Sequence, residues 1–283
     1  VAQVAIALML LVGATLMVRT FVAIREVRPG FAAGEHVLTL RINIADAVSP
    51  DREATARLHE QIVRGIAGIA GVQHAALTSS ITTDGANRRD PLFVEGVIGE
   101  DGRMPPVRRM KWVSPGYYET MGNPIVAGRD FTWPEVLAHR EVAIISESLA
   151  RETFGSTQGA LGRRVRSNPN SPWREIVGVA GDEHDDGPTR PPTPMVYWPY
   201  LQEGHAPGRI TVERTMVYAV RSDRVRDAGL LRDIQQAAWA VNPALPISRV
   251  ETVDDVYRRA TAQGSLTLMV LMIASGVTLL LGV

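Results

Sequence analysis

The densest group of chemically capable residues is the run at residues 181–187, which reads Gly-Asp-Glu-His-Asp-Asp-Gly. It places four carboxylates beside the imidazole of His184 within five consecutive positions. Carboxylate oxygens bind hard cations, and an imidazole adds affinity for transition metals. The run follows a predicted strand and lacks the alternating ligands and terminal Glu of an EF-hand. We therefore interpret it as a solvated turn, with metal binding as the alternative.

The other reactive residue types do not form a recognisable catalytic set. The remaining histidines have no metal-ligand spacing, and neither a His-x-x-x-His pair nor a Gly-x-Ser-x-Gly elbow occurs. Ser79 and Ser80 follow a predicted strand, but no base is indicated near them. The chain has no cysteine, which excludes disulfides, thiolate metal sites and cysteine nucleophiles. We predict no catalytic, cofactor-binding or metal-binding residues, and hence a protein that is not an enzyme and needs no cofactor.

The charge pattern excludes two further classes of protein. Lys+Arg and Asp+Glu are both 30, whereas a nucleic-acid-binding protein normally has a basic excess or a basic stripe. Lys111 is the only lysine and lies in Met-Lys-Trp, so the chain has no Walker A loop. Arg163, Arg164 and Arg166 could bind an anionic headgroup or partner, but we expect alternating arginines on an exposed strand to face solvent.

Both ends of the chain carry long apolar runs. Residues 1–18 and 264–283 contain no charged side chain. Because about 20 apolar residues cross a bilayer as a helix, we predict a transmembrane helix at 1–26 and the start of a second at 264–283, each truncated by a chain end. The first run lacks the basic start and cleavage site of a signal peptide. Charge alone does not orient the long region between the spans, since long domains translocate largely regardless of it.

A β-α-β unit is predicted just after the first span. Residues 37–44 alternate as a half-buried strand, and residues 72–80 form a second strand. Between them, Ser49-Pro50-Asp51 predicts the start of a helix, with Ser49 as N-cap and Pro50 at the first helical position. Apolar side chains then recur at helical spacing, which indicates that one face packs on a sheet.

A second unit of the same kind occurs late in the chain, with a strand at 216–221, a helix that Asn242-Pro243 stops, and a short strand at 246–250. We infer a split β-α-β subdomain, residues 35–83 and 209–262, close to the membrane. Residues 84–208 are then an inserted, strand-rich subdomain, and the fold class is α+β. Within the insert we predict a helix at 146–154 and strands at 92–96, 107–113, 142–145, 175–180 and 195–197. Thr252 and Asp255 form a predicted capping box for a helix at 253–263, placed to continue into the second span.

Two motifs in the insert carry a family resemblance: Val113-Ser-Pro-Gly-Tyr-Tyr-Glu-Thr-Met-Gly122 and Ala127-Gly-Arg-Asp-Phe131. With them the chain resembles the MacB-like extracytoplasmic core domain of FtsX-type ABC transporter permeases, especially the duplicated orphan permeases. Further pieces in the family's order include Pro29-Gly30-Phe31, Leu161-Gly-Arg-Arg164, Trp173-Arg-Glu-Ile-Val-Gly-Val-Ala-Gly-Asp182, Pro194-Met-Val-Tyr197 and Asn242-Pro243. The acidic run at 182–186 departs from the turn expected there.

The resemblance implies a permease subunit without an ATPase of its own. A cytoplasmic ABC ATPase would bind the membrane part and move the transmembrane helices. The extracytoplasmic domain would move with them and handle or expel substrate, which is a mechanotransmission scheme. The implied location is the plasma (inner) membrane, with the central domain periplasmic. The implied partners are the lipid bilayer, the ATPase, and either a homodimer or a duplicated half, but no nucleic acid.

Two other classes of function remain as alternatives. The extracytoplasmic ligand-sensing domain of a membrane receptor also lies between two spans, and its pocket of converging polar and aromatic side chains is not visible in a sequence. A membrane-bound hydrolase or metalloenzyme is the third option, and it depends solely on the carboxylates of residues 182–186.

Overall fold

The computed structural model describes residues 12–13, 15–16, 19, 34–86, 88–96, 104–187, 190–204 and 208–260. After a short 3-10 helix (Gly34–His36), the strands are β1 (Val37–Asn43), β2 (Val72–Thr78), β3 (Arg89–Pro91), β4 (Phe93–Val94), β5 (Val107–Val113), β6 (Ile125–Gly128), β7 (Val142–Ser146), β8 (Arg164–Arg166), β9 (Arg174–Ala180), β10 (Met195–Pro199), β11 (Leu201–Glu203), β12 (Ile210–Val212), β13 (Thr215–Ser222) and β14 (Ile247–Thr252). The helices are α1 (Arg52–Ala67), α2 (Tyr117–Met121), α3 (Trp133–Leu137), α4 (Glu147–Phe154), α5 (Thr157–Ala160), α6 (Ala228–Val241) and α7 (residues 253–260).

Four strands near the two ends of the described chain form one part of the main sheet, in the order β14-β1-β13-β2. All three pairings are antiparallel, so β13 separates β1 from β2, and β1 separates β14 from β13. Helix α1 connects β1 to β2, and α6 connects β13 to β14. The two predicted β-α-β units are thus confirmed as interleaved units of the ferredoxin-like kind. Their helices bury Ile62, Ile66, Leu230 and Ile234.

The start of α1 differs from the prediction that Ser49 caps the helix. Asp51 is the N-cap, and its carboxylate accepts a 2.7 Å hydrogen bond from the backbone N–H of Ala54. The buried Ser49 hydroxyl instead donates to the Asp51 carbonyl and accepts from Thr55 at 3.0 Å. The Asp51 carboxylate also suits the positive end of the helix dipole, which explains why the helix begins two residues later.

The insert continues the same sheet, in the order β5-β10-β7-β9-β8-β4, with β3 beside β5 and β6 beside β9. The two strand groups meet at Thr78 on β2 and Val113 on β5, where the Ser79 N–H donates to the Trp112 carbonyl and the Ser114 N–H donates to the Leu77 carbonyl. The β5–β10 and β7–β9 pairings are parallel, while β10–β7 is antiparallel. The division into two subdomains near residue 84 stays a prediction. The strands on either side of that residue belong to one continuous sheet.

The sequence correctly predicts the longer strands of the insert and helix α4, while the strand predicted at 92–96 shrinks to β4. Strand β8 lies where an exposed strand is expected at Arg164 and Arg166. The sequence misses the two-stranded sheet of β11 and β12, together with β3, β6, α2, α3 and α5. Each of these has five residues or fewer, which is too short for a hydrophobic period to emerge.

The predicted transmembrane segments fall almost entirely outside the described residues. Val12, Gly13, Thr15, Leu16 and Arg19 are described and helical, but the rest of 1–26 and all of 264–283 are not. Among the described helices, none combines the length and the apolar character that crossing a bilayer requires.

Helix α7 begins as the sequence predicts. The Thr252 hydroxyl accepts a hydrogen bond from the Asp255 N–H at 3.1 Å, and the Asp255 carboxylate accepts from the Thr252 N–H at 3.3 Å. These reciprocal bonds confirm the capping box. The helix is confirmed over 253–260, and its predicted last residues lie outside the described part of the chain.

Candidate functional site

The acidic run at 181–187 is not a solvated turn, so that interpretation is wrong for its central residues. Glu183 is 2% exposed and Asp185 is 6% exposed. Their carboxylates reach Lys111 and Arg109 on strand β5. A carboxylate is found buried when a cation and hydrogen-bond donors replace its water, and β5 supplies both here.

Each of the four carboxylates has its own partner. Besides the two buried ones, Asp182 accepts a 2.8 Å hydrogen bond from the backbone N–H of Ser148 in the first turn of α4. Asp186 accepts from the guanidinium of Arg89 at 2.7 Å. In the described part of the chain, no group of three or more His, Cys, Asp or Glu side chains is arranged to hold a metal ion.

Glu183 forms the centre of the buried group. The Lys111 ammonium lies 2.6 Å from Oε2 of Glu183, and the Thr82 hydroxyl donates to the same oxygen at 2.5 Å. The other oxygen, Oε1, accepts from the hydroxyls of Tyr197 at 2.8 Å and Tyr117 at 3.2 Å. Both carboxylate oxygens are therefore fully used by protein donors.

Burial and pairing have opposite effects on these charges. Burial by itself raises the pKa of the Glu183 carboxyl, but the Lys111 ammonium and hydrogen bonds from Lys111, Thr82 and Tyr197 hold that pKa below its ordinary value. Burial lowers the pKa of Lys111, yet Glu183, Tyr117 and Asp185 reverse this and raise it above its ordinary value. Both groups are therefore charged at neutral pH.

A second buried pair lies beside the first. Arg109 and Lys111 are two residues apart on β5 and so share one face of the strand. The guanidinium of Arg109 donates to the carboxylate of Asp185, which also accepts from the Thr83 N–H at 3.2 Å. Burial raises the pKa of Asp185 and outweighs the lowering by Lys111 and Arg109. We call Arg109, Lys111, Glu183 and Asp185 the buried ion-pair cluster.

The cluster lies where the two strand groups of the main sheet meet. Its cations come from β5, the strand of the insert that lies beside β2, and its acids follow β9. Thr82 and Thr83, which bind both acids, follow β2 of the four-stranded group. The Thr82 and Thr83 contacts therefore add to the backbone hydrogen bonds that join β2 to β5, such as that from the Ser79 N–H to the Trp112 carbonyl at 2.8 Å.

The arrangement suits a structural tie and not a reaction centre. Lys111 and Glu183 satisfy each other and are sealed from solvent, so neither is presented to a substrate. One clue to the cluster was visible in the sequence. Lys111 is the only lysine in the chain and lies inside the predicted strand at 107–113, two residues from Arg109 and so on the same face.

The other candidate residues of the sequence are structural as well. Arg164 is exposed and pairs with Glu95, as expected of a solvent-facing strand residue. Arg166 instead lies 4.1 Å from the centre of the Trp173 ring, in a cation–π contact. The Ser79 hydroxyl accepts a 3.0 Å hydrogen bond from the Trp112 N–H.

Comparison with known proteins then identifies the family. Residues 1–237 match the model of the MacB-like periplasmic core domain. The chain belongs to this family. The match confirms the resemblance found in the motifs at 113–122 and 127–131. No curated protein matches the sequence.

Three solved structures are similar to this MacB-like domain, and the first of them shares its fold. The periplasmic region of MacB from Actinobacillus actinomycetemcomitans is 15% identical, with a TM-score of 0.52 over 81% of this chain and 94% of that one. The extracellular domain of the noncanonic ABC-type transporter YknZ from Gram-positive bacteria gives 15% identity and a TM-score of 0.43, over 75% of this chain and 100% of that one. A domain of a putative permease protein from Porphyromonas gingivalis is 17% identical, with a TM-score of 0.44 over 78% of this chain and 92% of that one.

Proposed function

We propose that this MacB-like chain is part of a permease subunit of an ABC-type transporter or efflux system, with no ATPase of its own. The observation that carries the proposal is the family match over residues 1–237. The described domain is extracytoplasmic in this proposal, and it couples the motion of transmembrane helices to substrate handling. A cytoplasmic ABC ATPase, the lipid bilayer, and a second copy or duplicated half are its partners.

The way α7 is attached to the sheet supports such coupling. The helix begins directly after β14, and its first turns bury Val253 and Val256 against the domain. The guanidinium of Arg259 donates to the carboxylate of Glu251 on β14. A shift of α7 would therefore displace β14 and, through the β14–β1 pairing, the four-stranded group.

The buried ion-pair cluster extends this path into the insert. Thr82 and Thr83 fix the end of β2 to Glu183 and Asp185. Separating Thr82 and Thr83 from these carboxylates would leave buried acceptors without two of their donors, so relative motion at this junction is costly. The insert is therefore expected to follow the four-stranded group as one body, carrying displacement away from the membrane.

The test uses the intact permease with its ATPase in lipid nanodiscs. This sequence has no cysteine, so once any cysteines elsewhere in the permease and its ATPase are replaced, a fluorophore on Arg140→Cys, at an exposed position of the insert, reports its distance from acceptor-labelled lipids. Trapping ATP hydrolysis is expected to change the energy transfer. A four-residue Gly-Ser insertion after Gln263 should abolish that change while ATP turnover continues.

The matched control places the same insertion after Asn170, in an exposed turn of the insert. This variant should retain the nucleotide-dependent change. A signal that never responds to nucleotide, or that survives the insertion after Gln263, contradicts the coupling proposal and favours the ligand-sensing alternative.

A further inference from the structure

A cleft of about 220 Å³ lies beside the sheet, between strand β1, the segment 81–85, the end of β14 and helix α7. Apolar side chains contributed by Leu40, Ile81, Val217 and Val256 line part of it. The volume is below the 300–1,000 Å³ of common ligand pockets, so the cleft suits a group the size of a small headgroup. The family match assigns no ligand to it.

Strained backbone is concentrated around this cleft. Among the described residues, three that are not glycine have positive φ angles, and two of them line it: Thr83 at 69° and Arg249 at 50°. A positive φ is a true outlier for a β-branched residue such as Thr83. Strain of this kind persists where the surrounding structure imposes it and clusters at functional sites.

The position of Arg249 results from a β-bulge. Thr39 pairs with Glu251 and Arg41 pairs with Ser248, so Arg249 and Val250 together oppose Leu40. A bulge re-aims a side chain out of the regular alternation of the strand, and bulges are frequent beside binding sites. Here it brings Arg249 to the wall of the cleft.

The charges of the cleft leave one cation uncompensated. Arg41 lies 3.5 Å from Asp84, and Arg259 pairs with Glu251. Within the described residues, Arg249 has neither an ion-pair nor a hydrogen-bond partner. An arginine is always charged in a protein, and its planar fork matches the oxygens of a carboxylate or phosphate.

A polar group is also left unused at the opposite wall. The hydroxyl of Thr83 is buried and has no hydrogen-bond partner in the described part of the chain. Such a group destabilises the fold unless something accepts its proton. Glycine or asparagine would adopt this backbone conformation with less strain, and neither would supply the hydroxyl.

We propose that this cleft binds an anionic phosphate or carboxylate group that is joined to an apolar body. Arg249 contacts the anion, the Thr83 hydroxyl donates to it, and the apolar side chains of the cleft contact the attached body. The source is either a lipid or a soluble amphiphile. The proposal goes beyond the transport function and does not depend on it, because it is argued from side chains of this domain alone.

The test measures binding to the intact protein in an uncharged detergent by native mass spectrometry. The probes are dihexanoyl phosphatidylglycerol, hexyl phosphate, inorganic phosphate and dihexanoyl phosphatidylcholine. We expect saturable binding of phosphatidylglycerol, hexyl phosphate or both, at least tenfold tighter than binding of the other two. Binding of the lipid alone identifies a lipid source, and binding of hexyl phosphate alone identifies a soluble one.

Two variants separate binding from folding. Arg249→Gly keeps the positive φ without strain and removes the charge, so it should weaken binding at least tenfold while the melting temperature holds or rises. Thr83→Val should weaken binding several-fold and raise the melting temperature, because it removes an unpartnered buried hydroxyl. Arg232→Gln, at an exposed position of α6, is the control and should bind as the wild type does.

Four results would overturn the proposal. The first is that neither amphiphile binds saturably. The second is that inorganic phosphate binds as tightly as the amphiphiles, which removes the apolar requirement. The third is that phosphatidylcholine equals phosphatidylglycerol, which removes the requirement for net charge. The fourth is that Arg249→Gly binds as the wild type does while remaining folded.

Discussion

The ammonium of Lys111 lies 2.6 Å from the carboxylate of Glu183, and these two side chains, 0% and 2% exposed as residues, are 72 positions apart in the chain. The pair joins strand β5 to the loop that follows β9. The Thr82 hydroxyl donates to the same carboxylate oxygen, so Glu183 is also tied to the segment that follows β2. A buried pair of this kind is costly to break from one side, and this gives the first prediction.

Lys111→Met should lower the free energy of unfolding by about 3–5 kcal/mol, because it leaves the Glu183 carboxylate buried without its cation. The measurement is unfolding by denaturant or heat, followed by tryptophan fluorescence. The double variant Lys111→Met/Glu183→Gln removes both charges and keeps an acceptor for the tyrosine hydroxyls. It should therefore be more stable than Lys111→Met alone.

The control for this pair is an exposed one. Arg164→Gln breaks the surface ion pair with Glu95 and should cost less than about 1 kcal/mol. If Lys111→Met costs no more than Arg164→Gln, the Lys111–Glu183 pair does not stabilise the fold as a buried ion pair should.

The buried His59 should make the free energy of unfolding depend on pH. Its ring is buried in α1, with Nδ1 2.7 Å from the Tyr218 hydroxyl and Nε2 3.1 Å from the Glu213 carbonyl. Burial lowers the pKa of His59 to about 4. The hydrogen bond with the Glu213 carbonyl opposes this shift, and the charge of Arg214 adds to it. The unfolded chain, with a pKa near 6.5, takes up the proton first as the pH falls.

Stability should therefore be lost as the pH drops from about 6.5 to about 4, by about 3 kcal/mol in total at this residue. His59→Gln removes this titration and should flatten the curve of unfolding free energy in that range, whatever its effect at pH 7. An unchanged slope in His59→Gln would show that this ring does not titrate as the structure indicates.

Asp130 should act in the opposite direction. Burial raises the pKa of its carboxyl to about 6, although the N–H groups of Gly116 and Phe131 donate to it at 2.9 and 2.6 Å. The folded protein then binds the proton more tightly than the unfolded chain, whose pKa is near 3.8. The charged carboxylate therefore costs stability at neutral pH, and that cost disappears as the pH falls from about 6 to about 4.

Relative to the wild type, Asp130→Asn should accordingly be more favourable at pH 7.5 than at pH 4, by up to about 3 kcal/mol in free energy of unfolding. The amide nitrogen of Asn accepts no hydrogen bond, so one of the two N–H donors loses its partner at both pH values and this cost cancels in the comparison. Melting temperatures at the two pH values measure this difference. Asp46→Asn, at an exposed aspartate, should show no such gain. A stability change from Asp130→Asn that is the same at both pH values would contradict the prediction.

The antiparallel pairing of β6 with β9 requires glycine at position 128. A Cβ at Gly128, where φ is 71°, would lie 2.2 Å from the carbonyl oxygen of Val177. Gly155 has φ 76° and open space around it, so both positions carry the same conformational cost for alanine. Gly155→Ala should cost about 1–2 kcal/mol, the penalty of the left-handed conformation.

Gly128→Ala adds a clash with backbone that cannot move aside, and it should cost several kcal/mol more or prevent folding. Yield of folded protein and melting temperature measure the difference between the two alanine variants. Equal melting temperatures would mean that β6 shifts away from β9 without penalty.

The longer elements were predictable because their signals are local. The apolar spacing of α1 and α6, the strand pattern of β5 and the capping box of Thr252 and Asp255 depend on residues within a few positions of each other. Ser49 and Asp51 show the limit of such signals. Both residues favour an N-cap, and the burial of Ser49 beside Thr55 decides between them.

By itself, the sequence determined the family, the two β-α-β units and the absence of cysteine chemistry, since these follow from residue types and short spacings. Tertiary structure alone decided that β13 lies between β1 and β2, and that the acidic run is buried. The physical reason is that a carboxylate is solvated or buried according to what folds over it. The partner of Glu183 is a lysine 72 residues away in the sequence, and a local pattern cannot predict a contact over that separation.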